Sequence, residues 1–249
     1  MQRVKRRTFA GAVCDQIVYN ISDRADHKKS EPRPRFKSEE EREAHKLAIS
    51  KRRHARLFNE NYGPTSLYGT LTFNNENEVH TFQEGRYLRD LAFRRFKYHY
   101  PKAKINIYMG RGKSTHRIHL HIVAEGIPEE AIRKLWTYGE IIRIENLREH
   151  NYYDGVDHGR DYTGLANYLF DHWTPEQGGQ RWKATRNLRK PEKEEPTLAV
   201  RNYSVTRPPI APKGYILVEA KETRFGYLYF KYVVDPAPHK KKREKRLID

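Results

Sequence analysis

The segment Arg117-Ile-His-Leu-His-Ile-Val-Ala124 constrains the fold more than any other stretch of the 249 residues. As a β-strand it sends Ile118, Leu120 and Ile122 to one face and His119 and His121 to the other. The first set enters a core, and the second places two imidazoles side by side. Such a pair can hold a divalent cation and leave positions open for a phosphate oxygen and water. The chain has 12 His, so a His-x-His pair alone is a weak signal, and two half-buried sheet histidines are the plain alternative.

Flanking periodicities supply the partners. Leu67–Phe73 has the pattern of a buried strand stopped by Asn74 and Asn75. Leu88, Leu91, Ala92 and Phe96 form one helical stripe within residues 82–100, ended by Pro101. Ile105–Tyr108 predicts a strand, joined to the histidine strand by the basic loop 110–116. Pro128, with Glu129 and Glu130 behind it, opens a helix to about Tyr138. Ile141, Ile142 and Ile144 mark another strand, followed by a helix over 163–173 and a strand over 181–188. This mixture predicts an α+β domain whose central, mainly antiparallel β-sheet carries packed helices.

That domain spans residues 66–191. Residues 1–65 form a basic extension with a short strand near Ala12–Ile21 and a Pro-containing linker over 26–37. A charged helix follows from Ser38, where Ser38 and Glu41 have capping-box spacing. Its apolar side is thin (Ala44, Leu47, Ala48, Ala55, Phe58), which predicts light packing. Residues 192–249 supply a β extension, with strands over 215–219 and 226–234 and a basic tail over 239–246.

Lys and Arg number 49 against 32 Asp and Glu, a formal net charge of +17. That excess favours a polyanionic partner, nucleic acid before an acidic membrane. The single Cys14 excludes an internal disulfide and a Cys-based zinc finger. No apolar run approaches the roughly 20 residues of a membrane span, so the expectation is a soluble intracellular protein with no membrane partner. Arg111, Lys113 and Arg117 surround the turn beside the histidines and suit a nucleic-acid strand. Strand alternation over 181–189 puts Arg181, Lys183 and Arg189 on one face with Thr185 and Asn187, and Arg186 joins them if the strand bends before it. Such a row suits a phosphate backbone, whereas Trp182 opposite belongs to the core. The string from Gly110 to Thr115 lacks Walker A spacing, so no ATP site is inferred.

The strand Leu67–Phe73, the pair His119/His121 and the helix Gly164-Leu-Ala-Asn-Tyr-Leu-Phe-Asp-His172 occur in an order that resembles the HUH endonucleases. The resemblance covers about residues 66–191 and is closest to the rolling-circle replication initiators of plasmids and phages. It implies an antiparallel sheet bearing the histidine strand, with a tyrosine helix facing a bound Mg²⁺ or Mn²⁺. The implied reaction is attack of a tyrosine hydroxyl on a phosphodiester of single-stranded DNA at a replication origin. It leaves a 5′-phosphotyrosine and a free 3′-hydroxyl. Tyr168 matches the family's tyrosine and sits on the flank of the Leu165, Ala166, Leu169, Trp173 stripe, whereas Tyr162 points into the core. Gly164 stands where two-tyrosine members carry the other nucleophile, so the chain looks like a single-tyrosine enzyme. His172 is the candidate for handling the leaving-group proton. The third metal ligand is open: relatives place a carboxylate on the preceding strand, which is Asn-Ile-Tyr-Met-Gly here, and His116, Glu140, Glu145 or water are the substitutes. The resemblance also implies a bacterial cytoplasmic setting with a plasmid or the nucleoid. No helicase segment is visible, which implies recruitment of a host helicase; the oligomeric state stays open. A relaxase or single-tyrosine transposase shares this chemistry, and a non-enzymatic DNA- or RNA-binding protein is the other class.

Overall fold

The computed structural model describes residues 2–21, 38–112, 116–174, 179–223 and 226–237. The chain begins with β1 (Gln2–Ala10), β2 (Val13–Ile21), α1 (Glu39–Asn61), β3 (Leu67–Thr72) and α2 (Phe82–His99). It continues through β4 (Lys104–Arg111), β5 (Ile118–Glu125), α3 (Glu129–Leu135), β6 (Ile141–Asn146), β7 (Tyr152–Tyr153) and β8 (Val156–Asp157). Then come α4 (Thr163–Asp171), β9 (Trp182–Ala184), β10 (Glu192–Lys193), β11 (Thr197–Leu198), β12 (Tyr215–Glu222) and β13 (Leu228–Val234). The fold is α+β, and the strand pairs are antiparallel. Among the described residues, no helix is long and apolar enough to cross a membrane.

The histidine sheet has five strands in the order β6-β3-β5-β4-β9. Helices cover both of its faces. Ile105, Ile107 and Met109 of β4 join Ile118, Leu120 and Ile122 of β5 on one face, under α2 and α3. Tyr108 and Val123 project from the other face, against Phe58 of α1 and Ala166 and Leu169 of α4. A reciprocal Thr81–Glu84 capping box starts α2. Ser38 Oγ accepts from Glu41 N at 3.2 Å and caps α1. Only the last two turns of α1 are buried, through His54, Ala55, Phe58, Asn59 and Asn61. Its charged first half stays in solvent, in keeping with its thin apolar side.

The terminal sheet joins the two ends of the chain. Its order is β10-β1-β2-β13-β12, with β11 also paired to β1. Residues before 66 and after 191, separate extensions in the sequence reading, thus share one sheet, with Val18 opposite Leu228. β1 is an unanticipated strand. Basic residues mask its alternation, in which Val4, Thr8 and Ala10 are buried. Gly11 makes its hairpin possible: φ is +57°, and a Cβ there would collide with the Asn59 carbonyl of α1. The expected strand over 181–188 is shorter, ending at Ala184. Thr185 then turns inward, accepting from Ile105 N at 3.1 Å, and Asn187 donates to Lys102 O at 2.9 Å. The Pro-containing linker 26–37 and the basic tail 239–246 lie outside the described residues.

Candidate metal centre

β5 presents His119 and His121 on the sheet face that α4 covers, while Ile118, Leu120 and Ile122 are buried behind them. α4 packs there through Ala166 and Leu169, and its end drops His172 beside the pair. His119 Nε2 lies 3.2 Å from His121 Nε2, which lies 3.3 Å from His172 Nε2. The ligating nitrogens of these three residues fall within 4.8 Å of one another, and among the described residues no other group of His, Cys, Asp or Glu converges in this way.

The protonation states suit a cation. Burial pushes His121 down to about 3, and the neighbouring His119 and His172 add to the effect. Burial also lowers His119. Both rings are neutral near pH 7 and offer lone pairs rather than charge. His172 Nδ1 donates a hydrogen bond to the Tyr168 carbonyl at 2.8 Å, and its Nε2 faces His121. His121 Nδ1 is held by the hydroxyls of Tyr68 and Thr70, both at 3.1 Å. Contacts to the outer ring nitrogen fix ligand orientation in metal sites. The residues therefore fit a divalent metal with nitrogen ligands.

Gly110 is the inconspicuous member of the site. It pairs with His119 across the β4–β5 ladder. A Cβ at this position would collide with His172 Cδ2 and come within 3.1 Å of His119 Nε2. The absence of a side chain on β4 is what lets α4 bring its histidine so close. A glycine inside a strand, opposite a ligand candidate, is the sequence signal that could have found it.

The pair opens into a cleft of about 1050 Å³ that Tyr168, Arg117, Arg143, Glu78 and Glu140 also line. Tyr168 is 51% exposed, with its ring 4.2 Å from that of His172 and 5.8 Å from that of His121. Tyr162 is 3% exposed and donates to Arg148 O at 2.9 Å, a core residue as its place on the helix predicted.

Of the other expected site residues, some line the cleft and the rest fall elsewhere. His116 lines the cleft in a left-handed turn (φ 55°) but stands outside the imidazole cluster; His172 takes the third position. Glu140 is on the cleft wall, and Glu145 is paired with Arg143. Of the expected cationic contacts among the described residues, only Arg117 lines the cleft. The Arg111 guanidinium sits over Phe82 at 4.5 Å. Arg181 lies over Trp173 and Phe170 at 4.1 and 4.4 Å, and Lys183 reaches Asp90 at 3.4 Å. Arg189 is 3.8 Å from Glu60, and Arg186 is exposed in the turn after β9. The expected row on one strand face is therefore absent, because β9 ends before Thr185. Lys113 lies outside the described residues. Trp182 packs on His54 at 4.5 Å between ring centroids, as a core residue does.

Fold and site together define an α+β protein with antiparallel sheets and a cluster of three imidazoles in metal-binding geometry. No family model, curated protein or solved structure matches the chain.

Proposed function

We propose that the chain is a metal-dependent endonuclease and strand transferase of the HUH type, which nicks single-stranded DNA at an origin to initiate rolling-circle replication of a plasmid or phage. One observation carries the reading: His119, His121 and His172 converge within metal-binding distance, and His119 and His121 open with the exposed Tyr168 into one cleft. A host helicase is the partner this reading calls for.

Tyr168 is the nucleophile. Its oxygen bonds to the scissile phosphorus as the bond to the 3′ oxygen breaks. The phenol proton passes to water in the open cleft, and the departing 3′ oxygen takes one up. The 5′-phosphotyrosine conserves the phosphodiester energy, so rejoining needs no ATP. A phenol with a pKa near 10 is a poor nucleophile for an anionic phosphate at neutral pH. His119, His121 and His172 would hold a divalent cation, which would supply Lewis-acid withdrawal of charge from a phosphate oxygen. The donor set favours Mn²⁺ over Mg²⁺, which is harder and takes oxygen ligands. With His172 as a ligand, the earlier expectation that it handles the leaving-group proton gives way. Arg117 and Arg143 on the cleft wall neutralise neighbouring phosphates.

The test pairs Mn²⁺ calorimetry with cleavage of single-stranded oligonucleotides. His119→Ala, His121→Ala and His172→Ala should each lower Mn²⁺ affinity and slow cleavage by about a hundredfold or more, while DNA affinity stays near wild type because dispersed Lys and Arg supply it. His116→Ala should behave as wild type in metal binding. Wild-type cleavage in all three cluster variants would overturn the metal assignment.

A further inference from the structure

α1 separates the histidine cleft from a second concavity. One side of the helix packs on α4, and the other faces β1 and β2 of the terminal sheet across a groove of about 760 Å³. The two cavities share no lining residue. Arg6 of β1, Arg52, Arg53 and Arg56 of α1, and Lys190 and Lys193 after β9 all line the groove. No Asp or Glu among the described residues does. The cleft, by contrast, mixes Arg117 and Arg143 with Glu78 and Glu140.

Part of this charge is already engaged. Arg56 is paired with Asp15 at 2.5 Å, and Arg52 lies over the Tyr229 ring at 4.9 Å. Arg53, Lys190 and Lys193 are exposed and have no ion-pair partner among the described residues. Arg6 Nε is buried and has no hydrogen-bond partner among the described residues. Cations gathered without a counter-charge repel one another, and an anion laid among them relieves that repulsion. Rings complete the lining: Tyr19 and Tyr227 meet edge to face at 6.1 Å, and the Arg6 guanidinium is 6.0 Å from the Tyr19 ring. Tyr227 is 43% exposed. Cations that follow phosphates, beside rings that take bases, are the chemistry of single-strand binding. A duplex keeps its bases stacked on each other and offers this surface only its backbone.

We propose that this groove is a second nucleic-acid site, which holds a segment of single strand apart from the histidine cleft. The assignment goes beyond the nuclease reading and stands whether or not the cleft cuts DNA.

Fluorescence anisotropy of the full chain tests it, with EDTA present, using labelled oligo-dT and a labelled hairpin duplex. Replacing Arg53→Gln, Lys190→Gln and Lys193→Gln together should weaken oligo-dT binding about tenfold or more. It should also flatten the slope of log K against log salt by about 2, since each single-strand phosphate contact contributes about 0.7. Tyr227→Ala should weaken oligo-dT binding about tenfold with duplex binding unchanged. If the triple variant melts early, Arg53→Gln alone carries the test, with a slope change of about 0.7. Wild-type affinity and slope in these charge variants would overturn the site. Equal losses for duplex and oligo-dT in Tyr227→Ala would overturn its assignment to single strands.

Discussion

The histidine sheet and the terminal sheet are both antiparallel, but they are assembled differently. The first draws its strands from residues 67–184, buries aliphatic side chains against α2 and α3, and turns polar groups toward α4. The second pairs the start of the chain with its end and closes a smaller core of Cys14, Val18, Leu228, Phe230 and Tyr232. Its β1 carries cations between buried positions, with Arg3, Lys5 and Arg7. One sheet is shaped around a site, and the other braces the helices that complete the site. Asp15 of β2 holds Arg56 of α1 at 2.5 Å and accepts from Tyr229 at 2.6 Å. Lys231 of β13 reaches Asp161, just before α4, at 3.2 Å. Asp161 in turn accepts from Thr163 N at 2.9 Å, which ties the start of the tyrosine helix to the terminal sheet.

The largest effect should come from breaking the brace. Phe230 is fully buried in the terminal core. Phe230→Ala should cost about 3–5 kcal/mol, the usual range for a large aromatic truncated in a packed interior. Because buried ion pairs couple this sheet to α1 and α4, the variant should still unfold in one transition. Urea unfolding followed by far-ultraviolet circular dichroism and by tyrosine fluorescence checks this. Two separated transitions would show that the sheets are independent units.

A smaller effect should come from the site itself. Gly110→Ala adds one methyl group where His172 and His119 now meet β4. The histidine cluster must spread, and Mn²⁺ affinity measured by calorimetry should fall by about 10–100-fold, the range for disturbing the support of a metal ligand. The melting temperature should hardly change, since the strand and its partners remain. An unchanged affinity would mean that α4 has slack, and that the glycine does not set the approach of His172.

These two expectations bear on what the sequence could disclose. The alternation around His119 and His121, the stripe on α2 and the flank position of Tyr168 are local patterns, and each reports which face is buried. They place the imidazole pair and the tyrosine without any long-range information. His172 as the third donor is not local: its position follows from where α4 ends over β5 and from the bare backbone at Gly110. The terminal sheet is harder still, because nothing in Arg3–Thr8 announces that β2 will lie beside a strand beginning at Leu228. The expected row from Arg181 to Arg189 failed for a related reason. Alternation persists in the letters after the chain has turned, and only tertiary bonds from Thr185 and Asn187 reveal the turn.

The three imidazoles and Tyr168 are proposed to form a DNA-cutting site, and mapping of a covalent adduct is its decisive test. Wild type, Tyr168→Phe and Tyr162→Phe are each incubated with single-stranded oligonucleotide pools and Mn²⁺, then digested, and DNA-bearing peptides are sequenced by mass spectrometry. Each substitution removes one hydroxyl and keeps the ring; at Tyr168 the loss is at most about 1 kcal/mol, and at Tyr162 one hydrogen bond to Arg148 O, on the order of 1–2 kcal/mol, so all three proteins should fold and bind DNA. Attack by Tyr168 predicts an adduct on the α4 peptide at Tyr168 in wild type and in Tyr162→Phe, and none in Tyr168→Phe. An adduct that persists in Tyr168→Phe, or no adduct in wild type under conditions where it binds both metal and DNA, would contradict it.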